Sequence, residues 1–504
     1  MVDKDLLSIQ ESRALVRAAR SAQPEFAQLS QERVDDVVKA VSQATALHAD
    51  DLARLAAKET GFGKPQDKKV KNLLASEKVY ACIRDMKTIG VLHTDPVAKV
   101  VEIAVPVGVI AGIIPSTNPT STVIYKSLIA LKAGNAIVFT PHPAARECIA
   151  RTVELIQGAL RACGVSSDLV SSISLPTLEG TTELMKICDL ILATGGPAMV
   201  KAAYSSGKPA LGVGAGNVPA YIERSADIED AVTKIMRSKT FDNGTICASE
   251  QSIVTESCIA PKVRATLEAH GGYFLTGEKL EKVKRVMERG NGTMNPAIVG
   301  RDAQTIAGLA GIEVPQSALV LISDEPGIGP KYPFSKEKLT SLLGFYEVED
   351  WRAACEKCIA LLHNGGVGHS LAIHSRSEDV IREFGLKKPV SRMLVNTPAT
   401  QGAVGLSTGL FPSFTLGCGA VGGSATSDNV TPMHLLNVRR VAYDLCSEEC
   451  SCAGPACAPA SGLSGCRHSG AVQGEPAAPQ AAASAALDIN AVTELIVAEL
   501  KKVL

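Results

Sequence analysis

A chain of 504 residues with 46% hydrophobic residues and a mean hydropathy of +0.14 has apolar surface for roughly two or three buried cores. Its 51 Lys+Arg balance 52 Asp+Glu, for a net charge of -1, and no basic run is interleaved with aromatic residues, so nucleic acid is excluded as an expected partner. No uninterrupted apolar run of about 18 residues occurs, Asp3, Lys4 and Asp5 stand where a secretion signal would be basic and apolar, and the 14 cysteines are too dilute for a disulfide scaffold; a cytoplasmic, membrane-free protein is expected.

Residues 1–87 space apolar side chains three and four apart, as in Leu15, Ala18 and Ala19 and in Val34, Val37, Val38 and Val41, which predicts an amphipathic helical opening. Residues 88–105 turn β-like, with Val91, Val97, Val100, Val101 and Ile103 around Thr94-Asp95-Pro96. A hairpin that protrudes and serves assembly is expected there.

From Val107 short apolar runs alternate with helical stretches: 107–114 then 120–133, 136–139 then 144–163, 190–193 then 197–206. That is a βαβαβ order and predicts a doubly wound parallel sheet. Ligands of such sheets lie beyond the carboxyl ends of the strands, which here carry Pro115-Ser116-Thr117-Asn118-Pro119, Thr140-Pro141-His142-Pro143 and Thr194-Gly195-Gly196-Pro197. The third loop opens a helix and is placed to approach a pyrophosphate, although a lone Thr-Gly-Gly-Pro is as readily an ordinary turn. Three such loops in register favour a site.

Gly212-Val213-Gly214-Ala215-Gly216-Asn217 imitates a dinucleotide fingerprint but precedes a strand, 218–222, so the strand-then-helix context is missing. Its glycines are expected to permit a close backbone approach or a tight crossover between domains. A helix over 228–240 then leads through Asn243-Gly244 to Cys247, ahead of a strand at 252–254. A loop cysteine near polar groups can have a depressed pKa and act as a thiolate nucleophile; the alternative is an inert packed thiol like Cys163 or Cys188.

Beyond Tyr443 come Cys446, Cys450, Cys452, Cys457 and Cys466 among Gly, Pro and Ser, followed by an Ala/Pro-rich segment at 471–486. This is linker composition, and without Cys-x2-Cys pairs no metal is expected. Residues 487–504 place Ile489, Val492, Leu495, Ile496, Leu500 and Val503 along one helical face, which wants a partner.

The order of these pieces over roughly residues 1–443 resembles the aldehyde dehydrogenase superfamily, and within it the CoA-acylating aldehyde dehydrogenases. The resemblance rests on Phe241-Asp242-Asn243-Gly244 leading to Cys247 and Glu250-Gln251, on Pro333-Phe334-Ser335-Lys336-Glu337-Lys338-Leu339, on His363-Asn364-Gly365-Gly366-Val367-Gly368-His369-Ser370, and on Gly417-Cys418-Gly419 with Ser427-Asp428-Asn429-Val430. The chain is similar to the dehydrogenase half of bifunctional aldehyde-alcohol dehydrogenases and to enzymes of bacterial microcompartments. The resemblance implies an α/β fold with a Rossmann-like cofactor domain (1–87 and 106–216), a catalytic α/β domain (217–410) and an oligomerisation hairpin (88–105, with part of 411–443). A linker over 444–486 and an encapsulation helix over 487–504, binding a shell protein, would follow.

It further implies that Cys247 attacks a short aliphatic aldehyde, propionaldehyde or acetaldehyde, with Asn118 and the Cys247 backbone N–H holding the oxyanion and His369 working near the thiol or CoA. NAD and coenzyme A are the implied cosubstrates, with Thr140, Pro141, His142, Thr194, Gly195, Gly196, Gly214 and Glu337 as cofactor contacts. Hydrolytic members place a water-activating glutamate where this chain has Gly212-Val213-Gly214-Ala215-Gly216. Its absence points to a thioester that waits for a thiol, making acyl-CoA the expected product and free acid the alternative. Thr140 stands where many members have a lysine on the adenine ribose, which bears on NAD against NADP. A homo-oligomer, dimer or tetramer, is implied.

Overall fold

A computed structural model describes residues 3–290 and 293–445; the cysteine cluster at 446–466 and the helix expected at 487–504 lie outside the described residues. Residues 1–444 form one unit built on three sheets. Among the described residues no helix is long and apolar enough to cross a membrane, and no group of three or more His, Cys, Asp or Glu is arranged to hold a metal ion.

The helical opening begins with Lys4–Ala27, capped by the Asp3 carboxylate, and continues through Gln31–Leu47, which buries Val34, Val37, Val38 and Val41. The 3.6-residue period therefore does select the packed face. The hairpin follows as β1 (Val91–Asp95) and β2 (Val100–Pro106), antiparallel, with Asp95 accepting from Val97 N and Ala98 N in the turn.

Next come β3 (Val109–Ile114), β4 (Ala136–Pro141), β5 (Val170–Ser172), β6 (Leu190–Thr194) and β7 (Ala210–Val213), all parallel, in the order β5-β4-β3-β6-β7. The order reverses between β3 and β6, and a crevice opens at that switch point because the connections leave in opposite directions. Between β3 and β4 runs the helix Pro119–Lys132, every residue of which is buried. From it Lys126 reaches inward, its Nζ donating to Ile113 O at 2.8 Å on β3 and Leu192 O at 2.7 Å on β6. One amine thus straps the two strands where they part, and burial drives its pKa far below the usual lysine range.

The second half is a seven-stranded parallel sheet: β8 (Val218–Ile222), β9 (Glu250–Glu256), β10 (Gly272–Leu275), β11 (Val320–Asp324), β12 (Leu342–Val348), β13 (Gly368–His374) and β14 (Val390–Val395), in the order β10-β11-β12-β9-β8-β13-β14. The chain passes from the end of β7 to the start of β8 through residues 214–217 alone. So short a crossover sets the carboxyl edge of the first sheet against the amino edge of the second. Finally β15 (Leu436–Ala442) pairs along β2, completing a three-stranded sheet whose outer strands are largely exposed.

Candidate active site

Between those two sheet edges lies a cavity of about 510 Å³. Asn118, Thr140, Pro141, His142, Thr194, Gly195, Gly196, Gly214, Cys247 and Glu337 all line it. His369 does not; it sits behind the wall, fully buried in β13 instead of in the loop its glycine-rich approach suggests.

Cys247 follows Asp242, Asn243 and Gly244, which take φ values of 49°, 52° and 72°. Two non-glycine residues in the left-handed region are strained and persist only where their surroundings over-determine them. Here the Asp242 carboxylate is fully buried and bonded to Lys68 Nζ at 3.0 Å, Lys71 Nζ at 2.6 Å and the Lys64 backbone N–H at 2.7 Å. The helical opening thus reaches across and fixes the turn that presents the thiol.

The same lysine orients Asn118. Lys71 Nζ donates to Asn118 Oδ1 at 2.6 Å, and an ammonium can only donate, so the amide oxygen faces Lys71 and the amide NH2 is turned toward Thr117 and the cavity. Lysines 68 and 71, in the run Lys68-Lys69-Val70-Lys71, escaped the sequence reading because such a run looks like a solvated face.

Gly216 marks where the other parts meet. A Cβ there would lie 2.0 Å from the Cys247 carbonyl oxygen and 3.2 Å from His369 Cε1, whereas a Cβ on Gly214 would meet nothing within 4 Å. The close approach is therefore between Gly216 and the chain's own nucleophile loop, and no side chain fits. The Gly216 N–H donates to Glu337 Oε1 at 2.8 Å, tying the crossover to the carboxyl in the cavity. Glu337 is the carboxyl residue on the lining, and burial raises its pKa to about 7 against the pull of Gly216 N–H, Lys239 and Lys338. The Lys336-Glu337-Lys338 run turns inward, since Lys338 is wholly buried with Nζ on Gln251 O, Phe334 O and Lys336 O.

The thiol itself departs from expectation. Burial pushes Cys247 up to about 12, Glu337 and Cys418 push the same way, and Arg392 alone of the nearby charges draws it down. At neutral pH the resting residue is a thiol, not the depressed-pKa thiolate that a polar loop suggests. His369 is held near 3 by burial first and Arg392 second, so its ring is neutral; Nδ1 meets Ser370 Oγ at 3.1 Å and Nε2 has no partner.

On the cofactor side the helix Pro197–Tyr204 opens at Gly196 with no side-chain cap; Pro197 carries no N–H and the Met199 and Val200 amides donate to Gly196 O, which leaves the Ala198 N–H at the helix start, and a Cβ on Gly196 would meet no described neighbour within 4 Å. By contrast the helix Arg146–Ala162, after β4, has its first amides taken by Glu59, at 2.7 Å to Glu147 N and 2.8 Å to Cys148 N. A phosphate-bearing ligand therefore fits the turn after β6 and not the one after β4. Thr140 Oγ1 meets Thr181 Oγ1 at 2.8 Å, a hydrogen bond in which either hydroxyl can donate.

Comparison with known proteins agrees with this geometry. The profile described as "Aldehyde dehydrogenase family" matches residues 7–305. The chain is 45% identical over 442 residues to "Bifunctional aldehyde-alcohol dehydrogenase AdhE" of Escherichia coli (strain K12), covering 86% of this chain and 50% of that protein. It thus spans about half the length of the curated relatives of that kind. Among solved structures, an acetylating aldehyde dehydrogenase from Geobacillus thermoglucosidasius superposes with a TM-score of 0.87 at 48% identity, over 89% of this chain and 99% of that one. A propionaldehyde dehydrogenase from the Clostridium phytofermentans fucose utilisation bacterial microcompartment superposes with a TM-score of 0.78 at 30% identity, over 86% and 97%.

Proposed function

The chain belongs to the aldehyde dehydrogenase family, and we propose that it is an acylating member, oxidising a short aliphatic aldehyde with NAD and coenzyme A to acyl-CoA and NADH through a thioacyl group on Cys247. The observation that carries the acylating reading is the composition of the cavity wall: Glu337 is the carboxyl on the lining, and its Oε1 is engaged by Gly216 N–H. Apart from Glu337, no described residue on that lining carries a carboxyl, and the stretch 212–216, where the resemblance places the water-activating glutamate of hydrolytic members, supplies none.

In this mechanism Cys247 Sγ forms a bond to the aldehyde carbon as its proton passes to solvent water, and the carbonyl oxygen takes up the negative charge. Asn118 Nδ2–H and the Cys247 backbone N–H bind that oxyanion. Their alignment is set beforehand by Lys71 and by the strained turn, so little reorganisation accompanies the charge. Collapse of the adduct leaves the thioester on Cys247, and NAD, when bound, supplies the acceptor for the departing hydride. The residues suited to hold it are Glu337 at the reacting end, and Thr194, Gly195 and Gly196 with the first turn of Pro197–Tyr204 at the phosphates. The CoA sulfur then attacks the thioester and Cys247 leaves. We assign the proton of that thiol to His369, whose Nε2 has no partner among the described residues; burial holds its resting pKa near 3, so the ring takes the proton only as negative charge develops on the sulfur beside it.

NAD is favoured over NADP because Thr140 offers no cation to a ribose phosphate. The likeness at 48% identity to an acetylating enzyme supports acetaldehyde and the likeness at 30% to the Clostridium phytofermentans enzyme supports propionaldehyde, so both short aldehydes are proposed substrates; the second likeness also supports residence in a bacterial microcompartment. A homo-oligomer joined through the sheet of β1, β2 and β15 is supported by the exposure of its outer strands. Turnover of propanal and acetaldehyde with NAD, with and without CoA, tests the reaction. Fast NADH formation that requires CoA and yields acyl-CoA is expected; CoA-independent turnover to free acid would favour the hydrolytic alternative.

A further inference from the structure

Arg392, on β14, has a side chain buried to 4% exposure. Its guanidinium donates from Nε to Ser370 Oγ at 3.3 Å, from Nη1 to Ser427 O and Asn429 Oδ1, each at 3.2 Å, and from Nη2 to His369 O at 3.1 Å and Gly417 O at 2.6 Å. Every acceptor is a neutral oxygen. Among the described residues no carboxylate pairs with it, so its hydrogen bonds are satisfied while its charge is not. A guanidinium keeps its proton, so this is a permanent positive charge inside the protein.

That charge lies one layer behind the cavity lining, among residues that back the nucleophile loop. Gly417 precedes Cys418, and the His369 carbonyl belongs to the residue whose ring packs on Gly216, which in turn touches the Cys247 carbonyl. Of the groups able to become anions near Arg392, the Cys418 and Cys247 thiols act on it most strongly, ahead of Asp428. Asp428 is itself exposed and engaged with His434. His369 cannot be the counter-ion, because it is neutral where it lies.

We propose that Arg392 is a positioning residue of this reaction: its buried guanidinium, paired with no carboxylate, is the fixed counter-charge for the Cys247 thiolate. The proposal rests on Cys247 being the nucleophile of the reaction above. It also assigns His369 and Arg392 separate duties. The ring handles a proton at the incoming thiol, and the guanidinium lowers the cost of the attacking sulfur's charge, in place of a Cys–imidazolium ion pair.

Alkylation of Cys247 by iodoacetamide in the free enzyme reads thiolate directly and needs no aldehyde, NAD or CoA. The rate at this cysteine is followed by mass spectrometry of its peptide, since Cys82 and Cys258 are exposed and also react. Arg392→Gln is expected to slow alkylation at pH 8 by at least about threefold; an upward shift of one pH unit removes about tenfold of the thiolate, partly offset by the greater nucleophilicity of a more basic sulfur. Arg392→Lys, which keeps the charge and loses the fork of hydrogen bonds, is expected to stay near the wild-type rate. Ser370→Ala, which removes one neutral acceptor and leaves the guanidinium charge in place, is expected to do the same.

A folded Arg392→Gln that reacts like wild type would overturn the proposal. So would an Arg392→Lys that slows as much as Arg392→Gln, because geometry and not charge would then be at work. Should Arg392→Gln fail to fold by circular dichroism, the Arg392→Lys rate decides alone, retention supporting the proposal and loss overturning it. Because alkylation needs no cosubstrate, a failure here is separable from a failure to find acyl-CoA as the product.

Discussion

At Asn118 the direction of a single amide decides whether the cavity offers a donor or an acceptor, and the proposed oxyanion needs a donor. Lys71 settles it by claiming Oδ1 at 2.6 Å. Losing an oxyanion donor typically costs about 3 to 4 kcal/mol in the transition state, so Asn118→Ala is expected to slow the hydride step by roughly two to three orders of magnitude while leaving NAD binding intact. Lys71→Met leaves Asp242 its contact with Lys68 but frees the amide to turn. A slowing of about ten- to a hundredfold is expected from loss of that charged hydrogen bond. In pre-steady-state NADH bursts the two changes should be far from additive, since both remove the same donor; fully additive losses would show that Lys71 acts elsewhere. That Asn118, Cys247 and Glu337 line one cavity is what their motifs lead one to expect. Lys71 and Arg392 were not legible from sequence, because their roles exist only through contacts with residues far along the chain, 47 positions away for Lys71 and Asn118.

The helices and parallel strands were readable because each has its own period: Val34, Val37, Val38 and Val41 face one core, and the apolar runs at β3, β4 and β6 are buried on both faces. The pairing of β15 with β2 was only partly legible, since an exposed strand of seven residues carries little hydrophobic pattern. The placement of His369 is not legible, because glycines at 365, 366 and 368 carry no strand pattern, yet the strand starts at Gly368. The segment 487–504 keeps its expected amphipathic face as an argument from spacing alone. A reporter protein carrying residues 487–504 is expected to co-purify with assembled microcompartment shells. A reporter that remains outside them would leave the segment without that role.

Across the whole molecule the site exists because two parallel sheets are joined by a crossover of four residues, 214–217, too short to let them separate. The first sheet contributes what sheets of its order offer at a switch point: a crevice, an uncapped helix start and Asn118. The second contributes residues from the amino ends of its strands, with Cys247 just before β9 and His369 at the start of β13. The switch-point rule describes the first sheet and fails for the second, where the short crossover sets the geometry. The proposed reaction leaves an acyl group on Cys247 until a thiol removes it. The direct measurement is the mass of the Cys247 peptide after one turnover of propanal with NAD, before and after CoA is added. An acyl increment on Cys247 that persists without CoA and disappears with it, with acyl-CoA formed in step, is predicted. An unmodified Cys247, or an adduct lost equally fast in water alone, would contradict the account.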